Sequence, residues 1–503
     1  MAGSFHFVSG AHIDEKSRRE IRSHVMKGRN AGKRYRLRNR PLDSTSIDAA
    51  GSASASTSDS SSPACSASAA SAVCPSQRPI AMRHRPSRAL SKGKRVAADV
   101  GPQKLATIGS FLSGMTFAEK LTPMSGRLLY ALMLMTTDAI YPREFCTEPS
   151  IVQFSWFKYL HFDEAYFHAF LALSASSLVF LGHDGSPTTP ALQERYLEAA
   201  QGHLNKALSV IGSRLSSQEA LSNATLSAII HLCVFESMRP GSPNYQMHFE
   251  GMCKIIELRG GLSQMQLSPD VLAKIFRIDL DMALRLSCRT RFSSEGRAMS
   301  AIDSDHPTLH PVRDCPMAND LVHINPELVT VIKETMQLSY LLNTIAPRTK
   351  IEPYTYYNTV SAAFYRLLDI SLLPPLVFAP LEERLVFVGT VVFMTSMMLG
   401  KESLKILAYD FLYRMIYTAL DEIEAGASVS PDTQLWFLLI VSGALFTEDG
   451  QRRIQRVLPR FLIQFQIKGW PPLQQMLRSF PWVRVFHDEL AKRQLRALGY
   501  PVS

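Results

Sequence analysis

Between Leu192 and Leu215, the apolar residues Tyr196, Ala200, Leu204, Ala207, Leu208, Ile211 and Leu215 recur at spacings of three and four. Gln193, Glu194, Glu198, Gln201, Asn205 and Lys206 fall between them. An α-helix returns to one face every 3.6 residues, so this pattern predicts an amphipathic helix with one stripe in a core. The same period predicts helices over Met124–Ile140, Glu164–Leu181, Gln218–Ser237, Asn244–Leu258, Pro269–Leu286 and Pro326–Asn343. It continues through Thr355–Ile370, Leu381–Leu399, Ser403–Glu424, Asp432–Phe446, Gln451–Gln466 and Leu473–Leu498. Proline and glycine punctuate several gaps, as at Gly241–Pro243, Pro374-Pro375 and Gly469–Pro472, where a helix is hard to continue. Alternating strand-like runs are nearly absent. The expected fold is all-α, an irregular array of about a dozen helices.

The periodic pattern is confined to one stretch of the chain. Residues 1–40 form a mixed aromatic and basic arm; residues 41–104 form a Ser/Ala-rich linker with a second basic cluster; from about 105 to 503 the hydrophobic content is continuous. The linker has too few large side chains to offset the entropy of ordering it, so the arm and linker are expected to be disordered. Within the body, the polar segment 289–325 is expected to be an irregular loop dividing two helical halves. The longest apolar run, Leu385–Gly400, has 16 residues with two Thr, one Ser and an internal Gly. A membrane span needs ~20 apolar residues, so this run reads as a buried helix and no membrane partner is expected.

Charge follows the same division. Residues 1–104 hold 19 Lys/Arg and 7 Asp/Glu; the rest hold 35 and 37, so the net +10 of the chain resides in its first fifth. A cationic tail on a near-neutral body is built to meet a polyanion or an import receptor. The candidate residues are Arg22, Lys27, Arg29, Lys33, Arg34, Arg36, Arg38 and Arg40 in the arm, then Arg83, Arg85, Arg88, Lys92, Lys94 and Arg95 in the linker. Clusters of this kind serve nuclear localisation or contact phosphate. The seven cysteines include no C-x-x-C pair, which suits free, mostly buried thiols in a reducing compartment.

Candidate chemistry is sparse. Gly28 to Lys33 imitates a phosphate loop, but only three residues separate its glycines, and Arg34 stands where Ser or Thr is needed for magnesium. No nucleophile elbow, kinase motif set or H-E-x-x-H zinc motif occurs. The arm and linker hold only Cys65 and Cys74, whereas a binuclear zinc cluster needs six thiolates in close order. No catalytic residue, metal ligand or cofactor is assigned. His231, in an apolar helix, reads as a core residue rather than a ligand.

The most specific stretch is His248-Phe-Glu-Gly251-Met252-Cys-Lys-Ile255-Ile256-Glu-Leu258-Arg259-Gly260-Gly261-Leu262. Met252, Ile255, Ile256 and Leu258 are expected to form an apolar stripe. Gly260 or Gly261 is expected to take the left-handed conformation that ends a helix, with Arg259 near the terminal carbonyls. The pattern H-x-x-G-M-x-x-I-I-x-L-R-G-G-L resembles the signature of the fungal-specific transcription factor domain, of the kind often paired with a six-cysteine zinc cluster. Leu435-Trp436, Gly443, Arg452-Arg453, Trp470 and Pro481-Trp482 look like the C-terminal region of that family. The N-terminal F-x-F-V and I-R-S-H-V-M-K block resembles a subgroup without the zinc cluster.

That resemblance implies a helical regulatory domain, residence in the nucleus and control of transcription, sometimes of secondary-metabolite or stress genes. It calls for proteins of the transcription machinery as partners but carries over no DNA-reading device; the basic clusters call for the nuclear import machinery and for DNA through the arm, and a homodimer is a further expectation. A scaffold or corepressor whose body binds proteins or a small-molecule effector is the alternative, and an enzyme or small-molecule sensor using a pocket between the helical halves is a further rival.

Overall fold

The computed structural model describes residues 115–147, 157–181, 189–239, 241–298, 324–371, 379–399, 409–445 and 447–502. Among them are sixteen α-helices and no β-strand beyond one isolated bridge between Cys146 and Ile351. The expected basic arm and linker, with every candidate cation from Arg22 to Arg95, lie outside the described residues.

The amphipathic stretch forms α3, Pro190–Arg214. Thr189 caps it by accepting a hydrogen bond from the backbone of Leu192, and it buries Tyr196, Ala200, Leu204, Ala207 and Ile211. Leu208 and Leu215, expected in the stripe, are exposed, because each 100° step carries them past the buried face. α3 packs against α2, Glu164–Leu181, which also touches α1 (Pro123–Ile140) and α4 (Asn223–Ser237). Surrounded on several sides, α2 is apolar almost all round. Asp163 holds its start, accepting from the Tyr166 backbone at 2.8 Å and pairing with Arg214 at 2.9 Å.

After α4 come α5 (Asn244–Leu258), α6 (Pro269–Leu286) and the short α7 (Ser293–Ala298). The C-terminal half of the body contributes α8 (Pro326–Tyr340), a π turn over Leu341–Ile345, α9 (Ala346–Thr349) and α10 (Pro353–Ser371). It continues with α11 (Leu381–Leu399), α12 (Asp410–Glu424), α13 (Pro431–Val441), α14 (Glu448–Gln464), α15 (Trp470–Leu477) and α16 (Arg484–Ala497). The apolar run that is too short for a span is α11, buried continuously from Leu385 to Met398. Among the described residues no helix is long and apolar enough to cross a membrane.

Several boundaries differ from the periodic reading, each for a local reason. Gln218–Ser237 is broken at Ser222, whose backbone is extended and whose hydroxyl caps α4 through the Thr225 amide at 3.0 Å. Leu473–Leu498 is two helices, α15 and α16, interrupted around Pro481. In the segment read as Ser403–Glu424, Tyr409 is extended and α12 begins at Asp410; residues 403–408 lie outside the described residues. The segment read as Asp432–Phe446 stops at Val441. Pro326–Asn343 runs on to Thr349 through the π turn. Pro347 has no N–H to return to the carbonyl of Asn343; that carbonyl accepts from the Arg484 guanidinium instead. The Asn343 side chain also bonds the Trp482 carbonyl at 2.6 Å and the Arg484 amide at 2.9 Å.

The polar segment 289–325 does not separate the body into independent cores. Residues 299–323 lie outside the described residues, but α7 packs on α10 so closely that a Cβ at Gly296 would collide with the Tyr365 ring. The described helices on both sides share one hydrophobic core, and α6 touches both α10 and α12.

Candidate functional site

The signature motif occupies α5 and the turn after it. Met252, Ile255 and Ile256 are buried, as is His248. Burial lowers the His248 imidazole, while Glu236 works the other way. Leu258 departs from the expected stripe and is 55% exposed, since two residues past Ile256 is about 200° of rotation. Gly251 faces solvent, and a Cβ there would meet nothing within 4 Å. The helix closes with a Schellman turn: Gly261 N–H donates to Ile256 at 2.9 Å and Gly260 N–H to Glu257 at 3.0 Å. Both glycines have positive φ, 88° and 90°, which a Cβ disfavours. Arg259 lies at the terminus, but its guanidinium reaches Asn223 Oδ1 at 2.7 Å, tying the end of α5 to the start of α4. The motif is therefore a helix-ending and helix-joining device.

The chemistry gathers on α6. Asp270, Lys274, Arg277, Asp281 and Arg285 recur at spacings of four, three, four and four, so they share one face. Burial on several sides leaves that face little water. Lys274 lies 3.9 Å from Asp270, and Arg285 lies 2.8 Å from Asp281. Asp281 also accepts hydrogen bonds from the hydroxyls of Tyr245 and Tyr409. Elsewhere on the helix, Asp279 accepts from the amides of Arg291 and Phe292 and from the Tyr365 hydroxyl at 2.9 Å. Burial nevertheless pushes its carboxyl up to about 6, with those hydrogen bonds opposing.

The N-terminal half of this face lines a half-open cavity of about 60 Å³. Its apolar wall is Leu132, Phe170, Leu173, Ile230 and Val234. Its polar wall is Asp270, Lys274 and Arg277 from α6, Tyr357 from α10, and His231 from α4. His231 is the core residue that its apolar helix implies: its Nδ1 donates to the Ser227 carbonyl at 2.8 Å, and the ring meets Tyr166 edge-on at 4.7 Å. Burial holds its imidazole down at about 3, so it is neutral near pH 7. Burial also lowers the Lys274 ammonium to about 8, with Asp270 opposing.

Glu119, Glu164 and His168 bring three donor atoms within 4.8 Å of one another. Glu119 is already matched by His168 at 3.1 Å and Lys206 at 3.4 Å. His168 Nδ1 also lies 2.9 Å from His203 Nδ1, and burial together with His168 lowers His203 to about 4. Lys206 thus already stands beside Glu119, where a cation would sit.

The other residues singled out by resemblance converge near the C-terminus. Trp436 is fully buried, donates to the Pro481 carbonyl at 3.1 Å and stacks on Phe480. Gly443 lies so near Leu490 that a Cβ would meet it at 2.6 Å. Arg453 pairs with Asp421 and Glu424. Of the described cysteines, Cys146 and Cys233 are buried while Cys288 is exposed.

Residues 139–359 match the model of the family described as the fungal specific transcription factor domain. The resemblance read from the motif holds for this stretch. The matched region includes α5, its Schellman turn, the charged face of α6 and much of the cavity wall. No curated protein and no solved structure matches the chain.

Proposed function

We propose that the chain is a nuclear transcription regulator and that its helical body is the regulatory region. The family match over residues 139–359 carries this reading, because that domain implies a regulator rather than an enzyme. A binuclear zinc cluster has no ligand spacing in this sequence, so the basic residues of the arm and linker take on import and phosphate contact. Control of secondary-metabolite or stress genes is the finer expectation.

Imaging the tagged full chain beside one lacking residues 1–104 tests the reading. The full chain is expected in the nucleus and the shortened one largely outside it; a full chain confined to the cytosol overturns the proposal. Arm contact with DNA is expected to weaken steeply with salt and to show little base preference. The missing zinc-ligand spacing also favours a second reading, a scaffold or corepressor that reaches chromatin through protein partners of the body. Chromatin association would then survive loss of residues 1–104 once import is restored by a grafted signal.

A further inference from the structure

The cavity walled by α1, α2, α4, α6 and α10 carries one more positive charge than its own residues neutralise. On the α6 face, Lys274 is matched by Asp270 and Arg285 by Asp281. Arg277 sits between those pairs and makes no ion pair or hydrogen bond among the described residues. His231 adds no charge, since burial keeps its imidazole neutral near pH 7.

A second observation points to the same place. Tyr357 is buried at 2% exposure, lines the cavity from α10, and its hydroxyl has no hydrogen-bond partner. The Arg277 charge is felt at that hydroxyl, where it opposes the effect of burial. Unsatisfied buried donors are uncommon because leaving one unpaired is costly. Here an unpaired guanidinium and the tyrosine with the unpartnered hydroxyl line a space whose other walls are the apolar Leu132, Phe170, Leu173, Ile230 and Val234 and the polar His231, Asp270 and Lys274, the last two already matched to each other. A planar cation with a neighbouring hydroxyl is the donor set that recognises a carboxylate. An apolar wall with a few convergent polar groups is the usual make-up of a small-molecule site.

We propose that this cavity binds a short-chain carboxylic acid, its carboxylate on Arg277 and Tyr357 and its alkyl end against the apolar wall. The volume of about 60 Å³ sets the size. One water needs about 10–15 Å³ on that scale, so the space limits the alkyl end to a few carbons. An amine meets the wrong charge. An alcohol leaves Arg277 unmatched. A dicarboxylate puts its second charge among the apolar side chains. As an effector, this acid rests on the regulator reading above; as a ligand, it stands or falls by itself.

The test titrates the full chain with sodium butanoate, following heat and melting temperature, with 1-butanol, butylamine and equimolar sodium chloride in parallel. Butanoate is expected to bind saturably and raise the melting temperature, and the other three are expected not to. Arg277→Gln is expected to weaken butanoate about ten- to a hundredfold, and Tyr357→Phe to weaken it several-fold, with far-UV circular dichroism unchanged. Should Arg277→Gln fail to fold, Tyr357→Phe makes the same discrimination. Equal stabilisation by butanol, no saturable response to butanoate, or wild-type affinity in a folded Arg277→Gln or Tyr357→Phe protein would each overturn the proposal. Failure here with a nuclear full chain removes only the ligand; a cytosolic full chain that binds butanoate removes only the regulator.

Discussion

The hydroxyl of Tyr409 donates a 2.6 Å hydrogen bond to Asp281 Oδ1, 128 residues earlier in the chain. On the other oxygen, Asp281 receives the Tyr245 hydroxyl and Arg285 Nε. One buried carboxylate thus joins the start of α5, the C-terminal half of α6 and the approach to α12. Tyr409→Phe removes a hydrogen bond to a buried charge and is expected to cost ~1.5–3 kcal/mol. Asp281→Ala strands Arg285 beside two tyrosines and is expected to cost ~3–5 kcal/mol. Urea unfolding measures both, and a Tyr409→Phe loss below about 0.5 kcal/mol would show that the bond contributes nothing net.

Glycines within the signature are expected to respond in opposite directions. Gly251 is helical and its missing Cβ faces open space, so Gly251→Ala is expected to stabilise by ~0.5–1 kcal/mol. Gly261 has φ 90°, and Gly261→Ala is expected to destabilise by ~1–2 kcal/mol. A Gly251→Ala protein that melts higher but loses regulatory output would place that exposed spot against a partner.

At Gly389 the constraint is packing. A Cβ there would come within 2.6 Å of the Trp436 ring, where α11 crosses α13. Gly389→Ala is expected to cost ~1–3 kcal/mol through overpacking, while Gly126→Ala, with nothing near it, is expected not to destabilise. Thermal denaturation of the pair separates contact from composition.

Acid sensitivity has a definite sign. Folded His231 and His203 hold their imidazoles near 3 and 4, below the ordinary 6.5, so the unfolded chain takes up protons that they refuse. Each therefore removes stability as pH falls below about 6.5. Asp279 acts oppositely: its folded carboxyl protonates near 6 and an ordinary one near 3.8, which adds stability as pH falls through that window. Among these three groups the balance between pH 6 and 4 is one histidine, a loss of ~1.4 kcal/mol per pH unit, and His168 and His248, lowered by burial as well, act in the same direction. His231→Leu is expected to flatten that limb in unfolding measured from pH 8 to 4. An unchanged slope would mean His231 already protonates in the folded state.

The helical class and most elements were legible in the sequence because a period of 3.6 survives wherever one face stays wet, as in α3. Where a helix is wrapped on several sides, the pattern loses its contrast. The four-three-four-four spacing of Asp270, Lys274, Arg277, Asp281 and Arg285 was visible, yet alternating charges along one face ordinarily mark a solvated surface. Only the partners from α5, α10 and the approach to α12 make it internal, and those contacts span up to 128 residues. Leu258 misled for a simpler reason: it shares the motif's apolar composition but not its angular position. The Schellman glycines were legible because positive φ selects glycine from local chemistry alone. Tyr357 carried no signal, since an unpartnered hydroxyl is a property of its neighbours.

Pro347 leaves the carbonyl of Asn343 without its usual donor, and Arg484 at the head of the last helix fills that gap. An irregularity in one rod is therefore the socket for another. Making residues 326–349 a more perfect helix, as Pro347→Ala would, is expected to withdraw the socket and let residues 484–497 lift away. Faster deuterium uptake there, beside an otherwise firmer rod, would be its mark.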